Sequence, residues 1–163
     1  MAVLGQELGR LLRESELQLE WAVSLVPESM QRSSPPGMWS VARNLAHLAV
    51  YEEVIAAPTV RALAEGRDAS TVTPQETEQS LSQREEVLSG QAVDAIMERL
   101  RMAREQQIEA LGAFSDETLS APERTAWGRT SAAWVLNKTF QHTWEHGNTI
   151  LQIALFYPRS EGA

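Results

Sequence analysis

The sequence predicts an all-α protein, a four-helix bundle with long connections. Two observations carry that reading. Four long segments place apolar residues at steps of three and four, the spacing of one helix face, and the segments between them are rich in proline, glycine and serine. No stretch shows the period-two alternation of a strand, no sequence period repeats and no low-complexity tract stands out.

The first helix is expected over roughly residues 2–26. There Leu4, Leu8, Leu11, Leu12, Leu17, Leu19, Trp21, Val23, Leu25 and Val26 follow the helical steps up to Pro27. "PESMQRSSPPGM" cannot continue it, because paired prolines, a glycine and serines favour turns, so a connection runs to Trp39. Ser40 can cap the next helix by accepting from a free N–H of its first turn, and "VARNLAHLAVYEEVIAA" then carries a second helix over about 40–57, ending at Pro58. "TVRALAEG" can extend it beyond a kink, and residues 66–89 read as a loop with room for one short helix.

From Gln91 the series Val93, Ile96, Met97, Leu100, Ala103, Ile108, Leu111 marks a third helix that stops near Gly112, with Glu and Arg on its wet face. "SDETLSAPERTAWG" reads as a connection. "TSAAWVLNKTFQHTWEHGNTILQIALF" is the fourth helix, free of breakers except Gly147 up to Pro158. At 163 residues the chain suits a single domain spanning 1–163, long enough to bury a real core.

Composition narrows the function classes. A formal net charge of −8 opposes a phosphate backbone, which is held mainly by Lys and Arg, so no nucleic-acid partner is expected. With no cysteine there are no disulfides, no thiolate ligands and no thiol nucleophile, so any thiol chemistry needs an external thiol. The charged N-terminus lacks a signal core and no run approaches membrane-spanning length, which makes a cytoplasmic location without a membrane partner the default.

Chemistry gathers at the histidines. His142 and His146 are four residues apart, ~40° and ~6 Å from each other on a helix, so both project from one face and can reach one ion. That spacing alone is common. The remaining histidine, His47, also lies mid-helix, so all three sit in the middles of two helices and none in the polar loops. Three neutral imidazoles leave a divalent ion such as zinc or nickel with open positions for water, thiol or substrate. Core packing is the competing reading of each histidine taken singly.

Lys138, Glu145 and Thr149 fall within ~60° of His142 on the helical wheel, and Arg43, Asn44 and Tyr51 within ~60° of His47. Glu145 can accept the distal N–H of a ligating imidazole or act as a base. Tyr51 and Arg43 join it as catalytic candidates, while Arg43 and Lys138 can hold an anionic substrate or thiol. For each singly, a solvated surface role competes. Trp21, Trp134 and Trp144 read as bundle packing, and Trp39 and Trp127, at helix starts, either pin a loop or wall the site. Glycine-rich phosphate loops, G-x-S-x-G and H-E-x-x-H are missing, and no Glu-x-x-His pair of a di-iron bundle occurs.

"MWSVARNLAHLAVYEE" paired with "WVLNKTFQHTWEHGNTILQ" resembles the DinB/YfiT-like superfamily of bacterial four-helix metalloproteins, over essentially the whole chain. Trp39, His47, His142 and His146 match its pattern of a Trp before the second helix, a His within it and H-x-x-x-H in the last. The resemblance implies a three-histidine metal site and, from members with an assigned reaction, a thiol S-transferase or isomerase using bacillithiol, mycothiol or glutathione with a small-molecule substrate. A Gln common three residues after the last His is replaced here by Thr149, so its role does not transfer. Members are often homodimers, which the sequence neither supports nor excludes.

Two further functions compete with thiol transfer. One is a non-catalytic metal-binding or stress-response module, and the other is metal-assisted hydrolysis with bound water.

Overall fold

The computed structural model describes residues 2–70 and 78–156. The chain runs α1 (Val3–Ser24), α2 (Val41–Tyr51), a π-helical turn (Glu52–Ala56), α3 (Ala57–Ala64), α4 (Glu78–Ser89), α5 (Val93–Ala110), α6 (Asp116–Ser120), a hairpin of β1 (Glu123–Thr125) and β2 (Gly128–Thr130), and α7 (Ala132–Phe156). Four rods form the bundle: α1, the α2–α3 pair, α5 and α7. α1 packs mainly on α7, α2 on α5 and α7, and α4 lies along α2 and α5.

Local chemistry explains the ends. Ser40 Oγ accepts from Arg43 N at 3.1 Å, the cap expected at the start of α2. Replacing Ser40 by alanine should cost about 1 kcal/mol of unfolding free energy, read as a lower urea midpoint. Pro58 lies in the first turn of α3 and does not end the rod. A proline has no N–H for the carbonyl one turn back, and the widened π turn absorbs the mismatch, so the helix expected over about 40–57, with an extension beyond a kink, runs on through Ala64.

Two predicted connections hold structure. The segment 66–89 contains α4, whose Leu88 is buried and whose Leu81 packs against the core; residues 71–77 of that predicted loop lie outside the described ones, as does Pro158, the expected end of the last helix. "SDETLSAPERTAWG" folds into α6, capped by Ser115, and most of an antiparallel hairpin in which Thr125 pairs with Gly128. Gly128 has φ +90°, a value open to glycine at this two-residue turn. Strands of three residues are too short to show alternation in sequence.

Two apolar clusters fill the interior. One joins the end of α1, α2, α4, α5 and the C-terminal half of α7, and the other joins the start of α1, α3, the end of α5, α6 and the start of α7. Between them each bundle rod contributes polar side chains to a buried layer: Ser15, Glu52, Arg104, Gln107, Thr139 and Thr143. Arg104 and Glu52 are both 0% exposed and form a salt bridge through two hydrogen bonds. Arg104 also donates to Leu12 O at 2.7 Å, Ser15 Oγ at 3.1 Å and Thr143 Oγ1 at 2.8 Å, and Gln107 donates to Glu52 at 2.8 Å. The expectation of interspersed Glu and Arg on the wet face of α5 is thus corrected at Arg104, which is buried. A buried charge is tolerable only when paired and fully hydrogen-bonded, and this layer supplies both conditions.

Candidate metal centre

α2 presents His47 and α7 presents His142 and His146 to a common point. One ring nitrogen from each lies within 4.8 Å of the others. His47 Nε2 and His142 Nε2 are 3.0 Å apart, and the three ring centroids are 4.8 to 5.0 Å from one another.

The surroundings fix the tautomers. Asn44 donates both amide hydrogens, to Trp39 O at 3.3 Å and Ser40 O at 2.9 Å, so its Oδ1 faces His146 Nδ1 at 2.7 Å and must accept from it. His47 Nδ1 donates to Glu85 Oε1 at 2.8 Å. The other oxygen of Glu85 accepts from Arg43 at 3.0 Å, and the Arg43 guanidinium lies over the Trp39 ring, 5.5 Å from its centroid. With their Nδ1 protons committed, His47 and His146 turn Nε2 lone pairs inward. This is the outer-shell arrangement of ligating imidazoles.

Burial and the neighbouring imidazoles hold His142 down to about 3, and burial with His47 holds His146 down to about 4, so both are neutral lone-pair donors near pH 7. A donor set of three neutral imidazoles suits zinc or nickel, and the residues present therefore fit a divalent ion. The sign of the pH effect follows. Unfolded histidines protonate near 6.5 whereas the folded ones resist, so metal-free protein keeps this stability above 6.5 and loses it as pH falls through about 4 and about 3. The urea midpoint of metal-free protein should drop steadily between pH 7 and 4, and a midpoint flat across that window would contradict the burial of the pair.

Two aromatic walls enclose the cluster. Trp39 stacks near His146 with centroids 6.0 Å apart and meets His47 edge-on at 5.3 Å. Tyr51 lies edge-on to His142 at 4.7 Å, and burial pushes its phenol up to about 12. Tyr51 Oη and His142 Nδ1 are buried without a hydrogen-bond partner among the described residues.

Of the residues that sequence pointed to, His47, His142, His146, Arg43, Asn44 and Tyr51 come together. Lys138 is half-buried one turn before His142, and its charge is felt there. Glu145 is exposed on α7, and the distal N–H groups go to Glu85 and Asn44 instead. Thr149 bonds back to Glu145 O at 3.1 Å, within its own helix.

Glu85 was missed because its segment reads as a polar loop. The available signal was Leu81, Glu85 and Leu88, a carboxylate set in an apolar stripe at helical spacing. Trp21, Trp134 and Trp144, expected in the core, are instead 56%, 41% and 47% exposed. Trp127 packs on Trp134 at 5.5 Å and pins the hairpin to α7.

The fold is shared with solved proteins. A mycothiol-dependent maleylpyruvate isomerase superposes with a TM-score of 0.70 at 19% identity over 90% of this chain and 60% of that one. This chain thus spans about 60% of that isomerase's length. An uncharacterized protein from Clostridium difficile 630 gives 0.72 at 13% identity, over 90% and 92% of the two chains.

The colibactin self-resistance protein ClbS, solved in complex with a dsDNA, gives 0.70 at 13% identity over 93% and 95%. That finding overturns the exclusion of nucleic acid drawn from the net charge. A total of −8 sums the whole chain, whereas a phosphate backbone meets only the local charge where it docks. Among the described residues no helix is long and apolar enough to cross a membrane. No curated protein sequence matches the chain. The bundle, its three-histidine cluster and a match to the DinB superfamily profile over residues 10–150 agree, and the chain belongs to the DinB superfamily.

Proposed function

We propose that the chain is a divalent-metal protein that transfers a low-molecular-weight thiol, of the bacillithiol, mycothiol or glutathione kind, to a small electrophile. The observation that carries this is the pair of inward-turned Nε2 atoms on His47 and His146, held by Glu85 and Asn44, with His142 Nε2 completing the set. A divalent zinc or nickel ion held by these three residues would lower the pKa of a thiol in an open position, supplying a thiolate that the cysteine-free chain lacks.

The chain's own groups do the rest. His47 keeps 28% of its side chain exposed, which favours an open site over a sealed structural one. Trp39 and Tyr51 narrow the approach. Tyr51, its phenol pushed up to about 12 by burial, stays protonated and forms the wall beside His142. Arg43 acts through Glu85 on His47 and is a positioning residue in this scheme.

The mycothiol-dependent isomerase of the same fold supports the thiol reading over ester or amide hydrolysis. In this reading the protein works in the cytoplasm, and a homodimer is compatible with it. Metal-loaded protein should consume thiol only when thiol and electrophile are both supplied, followed by loss of free thiol. Turnover of esters or amides without thiol would move the assignment to hydrolysis, and inactivity toward both sets would favour a non-catalytic metal-binding or stress-response module.

A further inference from the structure

Lys138 is the only lysine in the sequence, every other basic side chain that carries a fixed charge being arginine. It stands on α7 one turn before His142, offset by ~40° and ~6 Å from it, on the face that carries the histidine cluster. Its side chain is half-buried, and among the described residues no carboxylate pairs with it. The other nearby cation, Arg43, is committed to Glu85 and to the Trp39 ring. The nearest acid along α7, Glu145, is exposed and two turns further on.

Placement gives this charge a use. Glu85, the carboxylate bonded to the cluster, is engaged by both His47 and Arg43, so an anion entering there needs a local cation free to receive it. An ammonium on a flexible four-carbon stem is such a receiver, as it does not demand the planar, two-point geometry of a guanidinium. We propose that Lys138 is the carboxylate anchor of the three-histidine site, selecting small molecules that carry a carboxylate. The inference rests on the functional reading above and narrows its substrate class. The carboxylate belongs either to the thiol or to the electrophile, since both meet at the same centre.

Calorimetric titration of untagged, zinc-loaded protein tests the anchor with two probe pairs. N-acetylcysteine against its methyl ester represents the thiol, and fumarate against dimethyl fumarate represents the electrophile. The Lys138→Gln variant should bind the carboxylate member of one pair about tenfold more weakly, the loss expected for a charged hydrogen bond, and leave the esters unchanged. Lys138→Arg should retain most of the affinity, and the pair that responds identifies the source.

Equal affinity of parent and Lys138→Gln for both carboxylates would overturn the anchor. So would parent protein that binds neither carboxylate more tightly than its ester. Zinc content measured on the same samples separates the two readings. A parent without zinc contradicts the metal centre, whereas full zinc with an unresponsive Lys138→Gln contradicts the anchor alone.

Discussion

Replacing Glu52 by alanine should lower the unfolding free energy by about 3–5 kcal/mol, the cost of leaving a buried charge without its partner. Arg104 would keep its guanidinium at 0% exposure, with only Leu12 O, Ser15 Oγ and Thr143 Oγ1 left to accept from it. Gln107 would lose an acceptor in the same layer. The double variant Glu52→Leu, Arg104→Met should recover much of the loss, because two apolar residues of similar volume remove the unpaired charge together. Urea midpoints of the parent, the single and the double variant decide this. A single variant within about 1 kcal/mol of the parent would show that water reaches the layer.

Loss of the His142 imidazole should have the largest effect on the site. Under the metal reading, His142→Ala leaves two nitrogen donors on different helices and abolishes stoichiometric zinc binding. The outer shell should matter less but measurably. Glu85→Gln keeps the shape and removes the charge that holds the His47 Nδ1 proton, so zinc affinity should fall about 10- to 100-fold in competition with a chelating dye. If Glu85→Gln matched the parent, the carboxylate would be pairing with Arg43 without tuning His47.

The bundle and the histidine triad were legible because both follow a period. Helical steps of apolar residues marked α1, α5 and α7 within a few residues, and His142 and His146 share a face by spacing alone. The approach of His47 to that pair depends on how α2 crosses α7, which spacing on one helix does not state.

What escaped was set by tertiary packing. Glu85 sits on a helix whose surface is mostly polar, and the stripe of Leu81 and Leu88 beside it is too short to mark the helix strongly. Arg104 has ordinary helical surroundings in sequence, and its burial depends on Glu52 from another rod. The indoles of Trp21 and Trp144 look like core by residue type yet lie at the rim, 56% and 47% exposed, beside a cleft they share with Leu19. Charge summed over the chain misled most, since it carries no information on where charges lie.

The central claim is that His47, His142 and His146 hold one divalent ion. It is tested most directly by mass-spectrometric metal analysis of untagged protein after exposure to equimolar zinc and nickel and removal of the excess. About one equivalent of transition metal per chain is the expected result. Protein that retains neither metal would contradict the account and return the three histidines to the role of packing residues.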